Sequence, residues 1–217
     1  MTLLILAALA EEADALFPGT STPIHGIFPV RRLATNGHAI TIATCGLGKV
    51  NAALAAGLFA ADADILLMSG TCGALGATSA RAYWLAEAVQ HDYGASEPGL
   101  FRRYRAGDWP MGEAGEAHFA AMPDPGLGLP HARIASGDSF VACPDAAADL
   151  KANLGATLVD MEVGAVAQVA ARLAKPWAAI KAVTDDANDA SGGDFQANLL
   201  RAARQAATEV ERLVAML

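Results

Sequence analysis

The stretch TLVDMEVGAVAQVAARLAKPW, residues 157–177, decides the fold class of this 217-residue chain. It begins with a short apolar run typical of a buried strand and continues as a small-residue run typical of a helix. Two carboxylates, Asp160 and Glu162, stand at the junction, with Met161 between them. A strand that leads directly into a helix is the unit of α/β folds, so this stretch predicts an alternating α/β chain with acids at a strand end.

Similar units precede and follow this stretch. Continuous apolar runs predict further buried strands within residues 2–9, 38–46, 63–75, 81–94, 132–143 and 176–189. A glycine turn and helix are predicted for residues 46–61, and a long amphipathic helix for residues 195–217. Residues 94–130 are rich in glycine and proline and predict an irregular segment, either a lid, an interface loop or a poorly ordered region. Residues 1–217 are interpreted as a single domain.

The composition argues against several classes of protein. Apolar residues make up 53% of the chain, enough for a large core, and the formal net charge of −8 leaves no basic stripe for nucleic acid. The apolar N-terminus lacks a basic region and meets Glu11 and Glu12 too early to span a membrane, so we expect no membrane partner. Three cysteines without C-x-x-C spacing favour reduced thiols in a cytoplasmic protein: Cys45, Cys72 and Cys143.

Acidic residues follow several of the predicted strands. Glu12 ends the first apolar run, Glu162 ends the strand of the opening stretch, and Asp185 ends the last one. Because ligands of open α/β sheets bind beyond the carboxyl ends of the strands, we expect these acids to share one site. Taken singly, each has a plainer interpretation, as a solvated acid in the first turn of a helix or as the cap of an acidic loop. Acids that cluster repel each other, which favours a functional use.

Clustered carboxylates without a metal motif suit the cleavage of a glycosidic bond. One carboxyl group protonates the leaving group and another activates water, while nearby negative charge stabilises an oxocarbenium-like transition state. The chain contains no H-E-x-x-H, G-x-S-x-G, P-loop or G-x-G-x-x-G motif, and its five histidines are scattered. We therefore expect neither a metal ion nor a cofactor.

Five motifs carry a resemblance to a known family: GLGKVNAA from residue 46, SGTCGAL from 69, SGDSFV from 136, VDMEVGAVAQVA from 159 and KAVTDDAN from 181. They resemble, in order, the signatures of the nucleoside phosphorylase/nucleosidase superfamily, and most closely those of the 5′-methylthioadenosine/S-adenosylhomocysteine nucleosidases. The resemblance covers nearly the whole chain except about residues 94–130. It implies a three-layer α/β/α sandwich with a mixed, partly barrel-like central sheet, and a homodimer.

The resemblance also implies roles in binding and cleaving a small-molecule nucleoside substrate. Glu12 would activate the attacking water, and Asp185 would protonate N7 of the departing adenine. Glu162 would accept hydrogen bonds from the ribose hydroxyls, with Met161 packed beneath the sugar. The other implied substrate-binding residues are Phe140 and Val141 for the base, Thr71, Cys72 and Gly73 for the sugar and base, and Leu9, Leu47 and Phe195 for the 5′-alkylthio group.

Charge separates hydrolysis from phosphorolysis. Similar phosphorylases carry an arginine just before the glycine-rich turn, where this chain has Met68, and Glu11 and Glu12 would repel phosphate. Aspartate at position 185 favours adenine, because it can donate to N7 and accept from a 6-amino group. The predicted reaction is therefore hydrolysis of the N-glycosidic bond of a 5′-substituted adenosine (5′-methylthioadenosine, S-adenosylhomocysteine or 5′-deoxyadenosine) to adenine and the free sugar.

Several alternatives stay open at this point. The chain could be a phosphate-dependent purine nucleoside phosphorylase, a nucleosidase for another adenosyl compound such as a lipid or menaquinone precursor, or a nucleoside-binding protein without catalysis. Asp186 could be the acid if the register differs by one residue. The chain also departs from the family at Lys181, where arginine is usual, which questions how Asp185 is supported.

Overall fold

The computed structural model describes residues 1–20, 24–76, 78 and 80–217. Helices and strands are mixed in the first and last parts of the chain, as predicted, whereas six consecutive strands occupy residues 65–136 without a helix among the described residues between them. The helices are α1 (Ala10–Ala15), α2 (Lys49–Phe59), α3 (Pro144–Leu154), α4 (Val163–Arg172) and α5 (Ser191–Met216). The strands are β1 (Thr2–Ala7), β2 (Val30–Thr35), β3 (His38–Thr44), β4 (Ile65–Ala74), β5 (Ala82–Gln90), β6 (Gly94–Glu97), β7 (Leu100–Arg103), β8 (His118–Ala120), β9 (His131–Ser136), β10 (Leu158–Asp160) and β11 (Trp177–Asp185).

Nine of these strands form one mixed sheet. Its order is β10-β9-β5-β11-β4-β1-β3-β2, with β8 beside β5. Strand β4 is parallel to β1 and β11, and it also pairs in antiparallel fashion with the short strand β10. This additional pairing closes β4, β11, β5, β9 and β10 into a ring, from which β1, β3 and β2 extend as an open sheet. The predicted mixed, partly barrel-like sheet is therefore confirmed.

Helices cover both faces of the sheet. In β1, Leu4 and Leu6 pack in the same cluster as the buried alanines of α2 and α4. The alternate residues Leu3 and Ile5 pack with the buried faces of α1 and α5. Because side chains alternate between the two faces of a strand, a strand covered on both faces must be apolar throughout. The continuous apolar runs of the sequence thus follow from the three-layer α/β/α arrangement, which was also predicted.

One strand extends further than the sequence predicted. The glycine turn expected at residues 71–73 is the last part of β4, which continues to Ala74 because β11 pairs along it and β10 pairs with its end. Its glycines make room for carboxylates. A Cβ atom at Gly70 would lie 2.8 Å from Oε1 of Glu12, and one at Gly73 would lie 3.1 Å from Oδ1 of Asp185. These close approaches explain glycine inside a fully buried strand.

The sequence interpretation was also wrong or incomplete in four other regions. Residues 94–130 are not wholly irregular, since they contain the β6–β7 hairpin and the strand β8. The strand β2 and the helix α3 were not predicted, although proline at the start of α3 and Gly155 at its end, with φ of +60°, are typical helix boundaries. Helix α5 begins at Ser191 rather than Phe195. None of the helices in the described part of the chain is long and apolar enough to cross a membrane.

Candidate active site

A cavity of about 450 Å³ opens at the carboxyl ends of β1, β3, β9, β10 and β11. Its walls contain residues from seven separate parts of the chain. All twelve residues predicted for the site line this cavity: Leu9, Glu12, Leu47, Thr71, Cys72, Gly73, Phe140, Val141, Met161, Glu162, Asp185 and Phe195. The other lining residues, which were not predicted as binding residues, are Ala8, Ser139, Val159, Asp160, Thr184, Gly192 and Gln196.

Glu12 is fixed by four hydrogen bonds. It occupies the third position of α1, and its Oε2 atom accepts hydrogen bonds from the backbone N–H groups of Ala8 (3.0 Å) and Leu9 (3.1 Å). A glutamate at this position commonly reaches back to the free N–H groups that begin a helix. Oε1 accepts two more, from the N–H (2.7 Å) and hydroxyl (2.8 Å) of Thr71. With only 2% of its surface exposed, Glu12 is not a solvated acid at a helix start.

Glu162 points to the cavity because other residues satisfy the helix that it begins. The first N–H groups of α4 donate to Asp160, from Val163 (3.1 Å), and to Ser136, from Gly164 (2.8 Å). The carboxylate of Glu162 is therefore not needed as a helix cap. Its Oε1 atom accepts a hydrogen bond from the N–H of Gly48 at 2.9 Å. Gly48 has a φ of +91°, a conformation that favours glycine.

A buried cation, Lys181, lies beside Glu162 and Asp160. The Nζ atom of Lys181 is 3.0 Å from Oδ2 of Asp160 and 3.8 Å from Oε2 of Glu162. Burial raises the pKa of Glu162 to about 7, with Lys181 opposing this effect and the charge of Asp160 adding to it. The pKa of Lys181 is raised above its usual range, because Asp160 and Glu162 outweigh the cost of burying the ammonium group. Lys181 thus contacts Asp160 and Glu162, and the support of Asp185, which the sequence left in question, comes from other residues.

Asp185 is the buried member of the acidic pair that ends β11. Its Oδ1 atom accepts a hydrogen bond from the N–H of Ala187 (3.1 Å), and its Oδ2 atom lies 2.8 Å from the hydroxyl of Thr184. Asp186 is exposed and does not line the cavity. The alternative register, with Asp186 as the acid, therefore places the acid outside the cavity.

The remaining walls are mainly apolar. Phe140 and Phe195 meet edge to face across the opening, with ring centroids 6.0 Å apart. Both Phe140 and Leu47 are about half exposed, so they form the rim and not the floor. The loop that carries Phe140 is held at Asp138, whose N–H donates to Asp92 (2.9 Å) and whose carboxylate accepts from the N–H of Lys49 (2.7 Å). An aromatic rim of this kind suits a flat heterocycle.

The cavity is acidic at its floor. Among the described residues that line it there is no arginine, lysine or histidine. Met68, at the position where similar phosphorylases carry an arginine, is buried inside β4. No group of three or more His, Cys, Asp or Glu side chains in the described ranges is arranged to hold a metal ion. The arrangement suits general acid–base chemistry by carboxyl groups on an uncharged or cationic ligand.

Some of the residues that the sequence interpretation missed carried a signal. Asp160 is the last residue of β10 and Glu162 follows two positions later at the start of α4, so both acids stand at one junction of a strand and a helix. Thr184 directly precedes Asp185, at a register shift between β11 and β4. Gly192 and Gln196 reach the cavity from the first turns of α5, and nothing in their sequence context indicates a binding role.

Comparison with known proteins identifies the family. The model of the phosphorylase superfamily matches residues 3–215, so the chain belongs to this superfamily. A 5′-methylthioadenosine/S-adenosylhomocysteine nucleosidase of Geobacillus kaustophilus is 32% identical over 186 residues, covering 79% of this chain and 77% of that protein. The corresponding nucleosidase of Listeria monocytogenes is 26% identical over 235 residues and covers 99% of both chains. The predicted family resemblance and enzyme class, an N-glycosyl hydrolase, are confirmed by these relatives.

Solved structures show the same fold. A 5′-methylthioadenosine/S-adenosylhomocysteine nucleosidase from Helicobacter pylori superposes with a TM-score of 0.86 at 23% identity, covering 100% of this chain and 99% of that one. Futalosine hydrolase from the same organism superposes with a TM-score of 0.84, also at 23% identity, covering 100% and 98%. At these identities the structures establish the shared fold alone. Which nucleoside the protein binds must be argued from the residues of the site.

Proposed function

We propose that this protein hydrolyses the N-glycosidic bond of a 5′-substituted adenosine, releasing adenine and the free sugar, and that residues 1–217 form one nucleosidase domain. The observation that carries the proposal is the pairing of Glu12 and Asp185 across one cavity, each buried and each held by short hydrogen bonds. A carboxyl group on each side of a scissile glycosidic bond supplies both the acid and the base that hydrolysis requires.

The two carboxyl groups have different surroundings, which divides the roles between them. Backbone N–H groups can only donate, so both oxygens of Glu12 act as acceptors, as a base requires. Glu12 takes a proton from water as the water oxygen bonds to C1′ of the sugar. Asp185 gives its proton to N7 of the purine, and the electron pair of the C1′–N9 bond leaves with the base. Solvent then returns a proton to Asp185 and removes one from Glu12.

The sugar and the base are assigned to the remaining walls. Glu162 accepts hydrogen bonds from the ribose hydroxyls, and its negative charge stabilises the developing oxocarbenium ion. Met161 packs beneath the sugar, and Phe140 lies against the face of the adenine. Thr71, Cys72 and Gly73 line the sugar and base side of the cavity, and Val141 offers its backbone to the base.

The 5′ group of the nucleoside is assigned to an apolar part of the cavity. Leu9, Leu47 and Phe195 provide its walls, and Gly192 leaves one side open, since a Cβ atom there would meet no atom within 4 Å. An apolar wall suits the 5′-alkylthio group of 5′-methylthioadenosine. The open side suits a longer substituent such as the one in S-adenosylhomocysteine.

Water is the proposed nucleophile because the described lining of the cavity offers no cation to hold phosphate. A phosphate dianion needs cationic or N–H donors, and the described lining residues include no basic side chain. The N–H groups of Ala8, Leu9 and Thr71 already donate to Glu12. The acidic floor would therefore repel phosphate while tolerating neutral water.

The function is tested by adenine release from 5′-methylthioadenosine in phosphate-free buffer and again with phosphate added. We expect free adenine and methylthioribose at the same rate in both buffers, and almost none from a Glu12→Gln variant. Release only with phosphate, giving a sugar 1-phosphate, would show a phosphorylase. Assays of S-adenosylhomocysteine and 5′-deoxyadenosine in parallel show how the rate of adenine release depends on the 5′ group. Binding of all three without release would show a binding protein.

The pH dependence of substrate capture should report the ionisation of Glu162. Ribose hydroxyls need the carboxylate form, and burial raises the pKa of this group to about 7. The value of kcat/KM for 5′-methylthioadenosine should therefore fall as the pH is lowered through about 7, approaching tenfold per unit well below it. Rates measured from about pH 5 to about pH 9 test this. If a Glu162→Gln variant shows the same acid limb, another group is responsible.

We further propose that the protein is a cytoplasmic homodimer. Helix α2 exposes an apolar stripe of Val50, Leu54 and Leu58, spaced four residues apart, and Val50 is 77% exposed. Leu47, on the rim of the cavity, continues this stripe, and Trp109 is exposed elsewhere on the surface. Exposed apolar surface of this kind is typical of protein interfaces. Light scattering should give about twice the chain mass of 22.2 kDa, and a value near one chain mass would contradict the dimer.

A further inference from the structure

Thr184 holds its hydroxyl group between two acceptors. The Oγ1 atom is 2.8 Å from Oδ2 of Asp185 and 3.1 Å from the carbonyl oxygen of Cys72. Thr184 is buried, lines the cavity, and lies where the register between β11 and β4 shifts. A hydroxyl group has a single proton, so it can donate to only one of these acceptors at a time.

The protonation of Asp185 decides which acceptor is used. When Asp185 is protonated, its own O–H can donate to Thr184, and the Thr184 hydroxyl donates to the carbonyl of Cys72. When Asp185 is ionised, the carboxylate attracts the hydroxyl proton, and hydrogen bonds to an ionised acceptor are the stronger ones. A rotation about one C–O bond exchanges the two arrangements without moving a heavy atom.

We propose that Thr184 is a positioning residue that turns its hydroxyl from the Cys72 carbonyl to Asp185 as that residue loses its proton. This inference rests on the proposed function, in which the proton of Asp185 moves to N7 of the base. The O–H bond of Asp185 breaks, the N7–H bond forms, and the charge left on Oδ2 is met by the Thr184 hydroxyl. The hydrogen bond is thus gained as the acid works, which stabilises the transition state more than the bound substrate.

The charges around Asp185 oppose its ionisation, so a hydrogen-bond donor is needed to stabilise the carboxylate. Acids come from α1 (Glu12), β10 (Asp160) and the start of α4 (Glu162), and these charges oppose a new carboxylate. The nearby cation on β11, Lys181, already faces Asp160 and Glu162. On α5, the guanidinium group of Arg201 donates to the backbone of Val183.

Among the described groups around Asp185, Thr184 differs from the others because its donor can change direction. Burial raises the pKa of the Cys72 thiol on β4 well above its usual range, so this thiol stays neutral. The described residues give the Asp185 carboxylate two hydrogen-bond donors, the N–H of Ala187 and the hydroxyl of Thr184. The backbone N–H is fixed in direction, and only the hydroxyl can turn as the charge forms.

The test compares Thr184→Val, which keeps the shape of the side chain without its hydroxyl, with Thr184→Ser, which keeps the hydroxyl. For Thr184→Val we expect kcat for adenine release to fall about 10- to 100-fold with little change in KM. The alkaline limb of the kcat profile should also move to higher pH, because the carboxylate forms less readily. Thr184→Ser should stay near wild type, as should the control Thr208→Val on the exposed side of α5. An unchanged limb in Thr184→Val, or a Ser variant as slow as the Val variant, would overturn the proposal.

A second measurement separates this inference from the proposed function. Carbon-13 NMR of the Asp185 carboxyl group needs no turnover, and it should show this group losing its proton at a higher pH in Thr184→Val than in the wild type. If the wild type releases no adenine, the proposed function fails, and the NMR shift alone decides whether Thr184 acts as a donor to Asp185. If adenine is released but the NMR titration is the same in both proteins, only the Thr184 inference fails.

Discussion

An Asp185→Asn variant should release adenine from 5′-methylthioadenosine about a thousandfold more slowly than the wild type. The amide has almost the same shape as the carboxyl group, so it can still accept the hydrogen bond from Ala187 that Asp185 accepts now. It can donate a hydrogen bond to N7, but it cannot give up a proton at neutral pH. Without protonation the purine leaves as an anion, which raises the barrier of the chemical step. We therefore expect the loss in kcat rather than in KM, with the melting temperature little changed.

The neighbouring acid provides the matched control. Asp186 is exposed and outside the cavity, so Asp186→Asn makes the same substitution one residue away and should keep nearly full activity. Measuring kcat and the melting temperature of both variants distinguishes loss of the acid from loss of the fold. Turnover within tenfold of wild type in Asp185→Asn, or a large loss in Asp186→Asn, would move the acid to another residue.

Among the variants proposed for this protein, Lys181→Met should lose the most stability. The ammonium group is buried between Asp160 and Glu162, and its removal leaves two acids facing each other away from water. Breaking a buried ion pair from one side commonly costs about 3–5 kcal/mol. The free energy of unfolding, measured by urea titration, should fall by about this amount. The loss should be greater at about pH 8 than at about pH 6, since ionised carboxylates suffer most from the missing cation.

Two further variants show whether the charge itself is responsible. Lys181→Arg keeps a cation at this position and should be closer to the wild type in stability than Lys181→Met. Arg102→Met removes a cation from the exposed pair with Glu97 and should change stability little, because exposed ion pairs are weak. A Lys181→Met protein as stable as wild type at both pH values would mean that a proton or water replaces the cation at no cost.

The positions of the main acids could be predicted from the sequence because they are local features. Glu12, Glu162 and Asp185 each follow an apolar run, and the ends of neighbouring strands meet at one edge of a sheet. The family motifs then suggested the aromatic and apolar walls, and each of those residues lines the cavity. Methionine instead of arginine at position 68, and the negative charge of Glu11, favour water over phosphate as the nucleophile. The cavity has no basic side chain among its described lining residues.

Features that depend on long-range packing could not be predicted in this way. Lys181 on β11 meets Asp160 on β10 because both strands pair with β4, and the spacing of the two residues in sequence gave no indication of this contact. The glycines at 70 and 73 suggested a turn, whereas they serve the close approach of carboxylates from other segments. Helix α3 buries only Ala147 and Leu150, so it lacks the strong apolar periodicity that makes a helix visible.

The closed ring of strands also sets an order of events in folding. The three-residue strand β10 joins the ring by pairing Leu158 with Ala74, which come from opposite halves of the chain. Contacts between distant segments form late, because the entropy of closing the intervening loop must first be overcome. Glu162 lies two residues beyond β10, so the part of the cavity around Glu162 is completed only when the ring closes. A nucleoside that recognises the finished cavity therefore slows unfolding without accelerating folding.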